Sequence, residues 1–140
     1  MSEFKSADEF REVMDKTFDL MSTDPDMGPK LRDADVPQRW EFPDLDLVVN
    51  VTAAPEGSRD HLRWEWSDDV EWEPEVVMTM DSAIANRYFQ GKENIAMAVA
   101  RRRIKTTGNM RKALALVPVT KPVFAQYREM LSREYPHLLA

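Results

Sequence analysis

Cysteine is absent from the 140-residue chain, which removes disulfides, thiolate nucleophiles and cysteine metal sites together and fits a reducing cytoplasm. Histidine is nearly absent too. His61 falls on the polar face of a strand pattern and His137 near the end of the chain, and neither has a second histidine at ligand spacing, so no metal is expected. The four glycines, at 28, 57, 91 and 108, cannot form GxGxxG or a P-loop, and no serine lies in GxSxG. Nucleotide binding and serine hydrolysis are thereby set aside, and no cofactor is expected. Long apolar runs are also missing: the longest, ALALVPV at residues 113 to 119, is far too short to cross a bilayer, and the acidic opening MSEFKSADEF is unlike a signal peptide. The expectation is a soluble, cytoplasmic protein.

The charge that is present is unevenly placed. The net charge is -6, but residues 1 to 86 carry 8 basic against 22 acidic side chains, and residues 87 to 121 carry 9 basic against 1 acidic. Either the faces of the domain complement one another, or a basic face meets anionic lipid headgroups or an acidic partner. Nucleic acid is not an expected partner, because the whole chain is acidic and no aromatics interleave with the basic run.

Hydrophobic periodicity outlines an α+β domain. Ser6 and Glu9 have capping-box spacing ahead of a helix that places Phe10, Val13, Met14, Thr17 and Met21 on one face. Prolines and a glycine then break the pattern, and residues up to Pro43 read as a connector with a short helical turn around Lys30 to Ala34. Period two begins at Leu45, with Leu47, Val49 and Val51 on one side; a turn over residues 54 to 60 leads to Leu62, Trp64 and Trp66 in the same alternation. A short strand is expected near Trp72 and a firmer one from Glu75 to Met80. Asp81 can cap a helix that Gly91 ends, Asn94 a second one, and Arg101, Arg102 and Arg103 fall at the C-terminal end of the second, where cations complement the dipole. One more strand, a helix stopped by Pro118 and a helix capped by Thr120 complete a mainly antiparallel sheet with helices on one face. One domain is expected over residues 1–140.

Candidates for chemistry are few. Asp68, Asp69, Glu71, Glu73 and Glu75 could shift one another's pKa values or bind calcium, but their alternation reads as the solvated face and turn of a strand. The positive signal is softness in the C-terminal half, where Met78, Met80, Met97, Met110 and Met130 mix with Ala96, Ala98, Ala100, Ala113 and Ala115. Such side chains suit irregular core packing or a ligand of variable shape.

The run from Met78 to Leu116 resembles the sterol carrier protein type 2 (SCP-2) family. It has a strand, a short helix, a GK-x-N turn (Gly91, Lys92, Asn94), an alanine-rich helix containing Ala98, and then Arg103, Ile104, Lys105, Gly108, Asn109 and Met110 leading into a helix. The likeness covers residues 44–118, with residues 1–43 as an N-terminal helix and linker and 119–140 as a C-terminal helix. Two positions depart: Ile95 stands where the family often has proline, and Arg102 where it often has glycine for a close turn.

The resemblance implies a five-stranded sheet covered by helices around an apolar tunnel that takes a sterol, fatty acid, fatty acyl-CoA or phospholipid. Burying about ten methylenes at ~0.8 kcal/mol each gives ~8 kcal/mol, and association costs bring the net to roughly micromolar or weaker. It also implies a lining from Val49, Trp64, Trp66, Met78, Ile84, Phe89, Met97, Ala98, Ile104, Met110, Leu114, Phe124, Tyr127 and Met130. Arg101, Arg102, Arg103, Lys105, Arg111 and Lys112 then become either a rim for headgroups or an anionic membrane, or a solvated face.

Three functions follow as expectations. The first is non-catalytic lipid binding and transfer. The second is an accessory subunit presenting an apolar substrate to a lipid- or quinone-pathway enzyme. The third is a small cofactor-free enzyme using the carboxylates of residues 68 to 75.

Overall fold

In the computed structural model, which describes residues 4–55, 57–58 and 60–140, the first helix, α1 (Ala7–Thr23), begins where its capping signal stands. Ser6 Oγ accepts the Glu9 amide at 3.1 Å, while the Glu9 carboxylate reaches the Lys5 amide at 3.0 Å. The helix buries the whole expected stripe together with Phe18 and Ser22. Helix α2 (Met27–Ala34) is longer than the expected turn because Asp24 Oδ1 caps it, accepting the amides of Asp26 at 2.9 Å and Met27 at 2.8 Å.

The expected connector up to Pro43 contains a strand, β1 (Gln38–Phe42), and β1 lies at the centre of the sheet. Gln38, Trp40 and Phe42 alternate with Arg39 and Glu41, and Pro37 and Pro43 bracket them where their missing amides interrupt no ladder. The remaining strands are β2 (Leu47–Ala53), β3 (Leu62–Glu65), β4 (Val76–Thr79) and β5 (Lys105–Gly108), in the order β3-β2-β1-β4-β5. The sheet is mixed: β1 and β4 run parallel, and the other neighbours are antiparallel. Glu56 and Arg59 of the expected β2–β3 turn lie outside the described residues, as do Met1, Ser2 and Glu3 of the opening segment.

Placing β4 beside β1 obliges residues 66 to 75 to pass over β2 and β1. They do so on the outer face: Asn50 Nδ2 donates to Ser67 O at 2.7 Å, and Arg63 meets Glu71 at 2.7 Å and lies over the Trp72 ring at 4.7 Å. The strand expected near Trp72 is therefore a crossover with no strand among its described residues. The opposite face, carrying Trp40, Val49, Val51, Val76 and Met78, is covered by helices.

Helices α3 (Ser82–Phe89), α4 (Ile95–Ala100), α5 (Met110–Thr120) and α6 (Pro122–Glu134) follow, with a 3-10 turn at Pro136–Leu138. Asp81 occupies the N-cap of α3 without a side-chain bond; Asp44 supplies the cap, taking the Ser82 amide at 3.0 Å and hydroxyl at 2.6 Å. Asn94 caps α4 and Asn109 caps α5. Pro118 does not stop α5, which runs on to Thr120, and Thr120 does not cap α6: its hydroxyl turns back to the carbonyls of Leu116 at 3.2 Å and Val117 at 3.1 Å. Buried side-chain amides of Asn86 in α3 and of Gln90 just after it hold the 3-10 turn, since Asn86 Nδ2 and Gln90 Nε2 both donate to Leu138 O, at 2.9 and 3.0 Å.

Candidate functional site

Between the covered sheet face and the helices lies a cavity of about 60 Å³. Its floor is Gln38, Trp40, Val51, Leu62 and Met78; its walls are Phe18 and Met21 of α1, Leu31 of α2, Tyr88 and Phe89 of α3, and Ile95 of α4; α5 closes it with Ala113, Leu116, Val117 and Thr120. The lining is mostly apolar, with the Gln38 amide and the Thr52, Tyr88 and Thr120 hydroxyls as its polar groups. A liquid water occupies about 30 Å³ and drug-sized ligands occupy sites of about 300–1,000 Å³. At this volume the cavity is too small for a lipid unless a wall moves.

On the far side of α5 is an open groove of about 620 Å³, lined by Gly91, Lys92, Glu93, Asn94 and Ala96 on one flank and Leu114, Pro118, Lys121 and Phe124 on the other. Tyr88, Ile95 and Val117 line both spaces and form the partition between them. The Tyr88 hydroxyl lies 3.3 Å from that of Thr120, and its ring meets Phe124 edge-on at 5.4 Å. Burial pushes the Tyr88 phenol up, with the Thr120 bond opposing, so the group stays protonated at neutral pH.

The wall formed by α5 is weakly held. Of its eleven residues only Ala113 and Leu116 are buried, and Pro118 supplies no amide to the Leu114 carbonyl. By contrast α1 is pinned: Asp15 Oδ1 accepts both the Trp64 indole at 3.0 Å and the Trp66 indole at 2.6 Å.

The implied lining residues separate into several environments. Met78 and Phe89 face the cavity, and Leu114 and Phe124 the groove. Trp64 and Trp66 pack beneath α1 against Phe18 and Phe10. Val49, Ala98, Ile104, Tyr127 and Met130 are buried in the core, Ile84 and Met110 are half-buried, and Met97 is 48% exposed. Sequence reasoning missed Trp40, Tyr88, Ile95 and Val117. The alternation in QRWEF was the available signal for Trp40; the other three depend on how α3, α4 and α5 meet.

Of the basic residues, Arg103 pairs with Glu93, and Lys112 with Glu75 at 2.7 Å. Glu93 is buried and also meets Arg87 at 3.2 Å. Arg101, Arg102, Lys105 and Arg111 are exposed and form no ion pair among the described residues. Arg102 has φ 62, the left-handed backbone for which the family's glycine is suited. The carboxylates of residues 68 to 75 lie on the outer-face crossover and none lines the cavity. Among the described residues no three acidic or histidine side chains are placed to hold a metal ion.

No family model and no curated protein matches the chain. Solved structures do. The ubiquinone synthesis protein UbiJ-SCP2 matches with TM-score 0.60 and 6% identity over 81% of this chain and 89% of that one. The sterol carrier protein domain 2 of Helicoverpa armigera matches with TM-score 0.55 and 17% identity over 81% and 87%. The inverting sec-alkylsulfatase Pisa1 from Pseudomonas sp. matches with TM-score 0.56 and 15% identity over 66% of this chain, which spans 14% of that enzyme. A mixed five-stranded sheet with helices on one face, matched by SCP2 domains over 81% of the chain, gives this chain an SCP-2-like fold.

Proposed function

We propose that the protein binds an apolar lipid between sheet and helices and carries or transfers it without catalysing a reaction on it. The observation that carries this reading is the apolar cavity closed by α5, a helix with few buried side chains and an internal proline. Displacing α5 would join the cavity to the groove across Tyr88, Ile95 and Val117, producing a space of lipid dimensions. The candidates remain a sterol, a fatty acid, a fatty acyl-CoA or a phospholipid, because an apolar wall discriminates by volume and shape. The Gln38 amide and the Thr120 hydroxyl would orient a polar end.

Mass spectrometry of gently purified protein, under native conditions and after organic extraction, tests the reading. A stoichiometric lipid supports it and names the class; an empty protein that also fails to bind a fluorescent fatty acid would sink it.

A second reading, presentation of an apolar substrate to an enzyme, draws support from two of the similar structures: one is a ubiquinone synthesis protein, and the alkylsulfatase carries a similar fold as a small part of a larger chain. Capture of one specific enzyme together with slow transfer between vesicles would favour it.

A further inference from the structure

We propose that α4, the turn after it and the outer side of α5 form a docking surface for an anionic membrane, which sets the mouth of the groove against the lipid. The proposal deepens the lipid-carriage reading and rests on it for its purpose, while its geometry stands separately.

Among the described residues three large apolar side chains are more than a third exposed, Met97 at 48%, Leu114 at 38% and Leu139 at 41%, and the first two sit on the helices that flank the groove. Each has basic company at helical spacing: Arg101 lies four residues after Met97, and Arg111 three residues before Leu114. Lys121 lines the groove itself, and Arg102 and Lys105 extend the positive surface through the turn and onto β5. Two acidic groups nearby are neutralised, while exposed Asp33 and Asp35 lie at the end of α2, which packs against α5. Glu93 is buried between Arg87 and Arg103, and Glu75 is held by Lys112.

The acidic residues are gathered elsewhere. Asp8, Glu9, Glu12, Asp15 and Asp19 are on α1, which packs over β3 at one edge of the sheet, whereas Lys105 belongs to β5 at the other edge. Asp68, Asp69, Glu71 and Glu73 are on the outer-face crossover. A protein with an overall charge of -6 can therefore approach a negative surface basic side first, oriented by its own field. Long cations ringing isolated apolar side chains fit headgroups with a shallow apolar layer beneath. A protein interface would instead centre on well-exposed aromatic anchors, whereas the two aromatics bordering this face are the buried Tyr88 and the half-buried Phe124.

Co-flotation with phosphatidylcholine vesicles, with and without phosphatidylglycerol, tests the proposal on the full chain. Binding is expected only to the anionic vesicles and is expected to weaken with salt. The Arg101→Glu/Arg111→Glu double variant should lose about tenfold or more in vesicle affinity. The Met97→Ser/Leu114→Ser variant should lose the part that salt does not remove. Unchanged thermal melting would show that the fold is intact in both variants. Equal binding to the two vesicle types, no binding to either, or full binding by the charge-reversed variant would overturn the proposal. Binding to soluble polyglutamate as strong as to vesicles and indifferent to Met97 and Leu114 would overturn it in favour of an acidic protein. Variant-sensitive docking without any fatty-acid binding would support the surface and remove the carriage reading instead.

Discussion

The hydroxyls of Tyr88 and Thr120 lie 3.3 Å apart and join α3 to α5 across the partition between cavity and groove. Thr120 also bonds the carbonyls of Leu116 and Val117; when its own proton is committed there, Tyr88 is the donor. Tyr88→Phe removes that tie while keeping the ring that lines both spaces. The expected result is a loss of about 1 kcal/mol in stability, hydrogen exchange of α5 amides that accelerates more than that of α1, and lipid release roughly fivefold faster. Unchanged exchange in α5 would show that the bond does not hold the helix.

Trp40 is the natural reporter of occupancy. It is 7% exposed, stacks on Phe89 at 6.1 Å between centroids and forms part of the cavity floor. Trp64 and Trp66 are fixed to Asp15 under α1. Trp40→Phe should therefore abolish most of the fluorescence change on adding a fatty acid, and the Trp64→Phe/Trp66→Phe double variant should retain it. The reverse pattern would place the ligand beneath α1.

Arg102 holds a left-handed backbone conformation with an exposed side chain and no ion pair among the described residues. A non-glycine residue there costs about 1–2 kcal/mol, partly offset by the extra unfolded-state entropy of glycine. Arg102→Gly should thus stabilise the protein by roughly 0.5–1 kcal/mol in denaturant melts, whereas Arg102→Ala should not.

Asp24 joins α1, α2 and α6: it accepts two amides at the start of α2 and the Gln126 side-chain amide at 3.1 Å. The Met27 amide, the Gln126 side chain and the Asp26 amide together hold its carboxyl below the usual carboxylate value, against a smaller effect of burial. A depressed folded-state value stabilises the protein at neutral pH, and that contribution is lost as pH falls from about 4 through the lower folded value. Asp24→Ala should cost about 1 kcal/mol near pH 7. Asp24→Asn should keep part of the cap and flatten the acid side of the stability profile.

The parts of the fold that the sequence made legible are those fixed by local chemistry. The α1 stripe from Phe10 to Met21, the alternation of Val49 and Val51, and the Asn94 cap each read correctly because neighbours in sequence are neighbours on one face. Strand β1 was not legible, because five residues between two prolines give too short an alternation and its partners, β2 and β4, come later in the chain. The parallel β1–β4 pairing depends on where residues 66 to 75 cross, which no local pattern records. The cavity was least legible of all. Trp64 and Met78 have the same inward periodicity, but only the position of α1, fastened by Asp15, places one beneath a helix and the other beside a cavity.

Pro118 bears on timing as well as geometry. With no amide to offer the Leu114 carbonyl, it keeps α5 one hydrogen bond short at the point where that helix borders the groove. In a carrier, the dwell time of cargo follows how often the covering segment opens, so affinity and turnover can be set by different residues. A strong helix former at Pro118 would make α5 more rigid and, if the protein carries a lipid as proposed, would lengthen the time the cargo is held. On the proposed carriage function, Pro118 would make α5 a wall whose usefulness lies in being temporary.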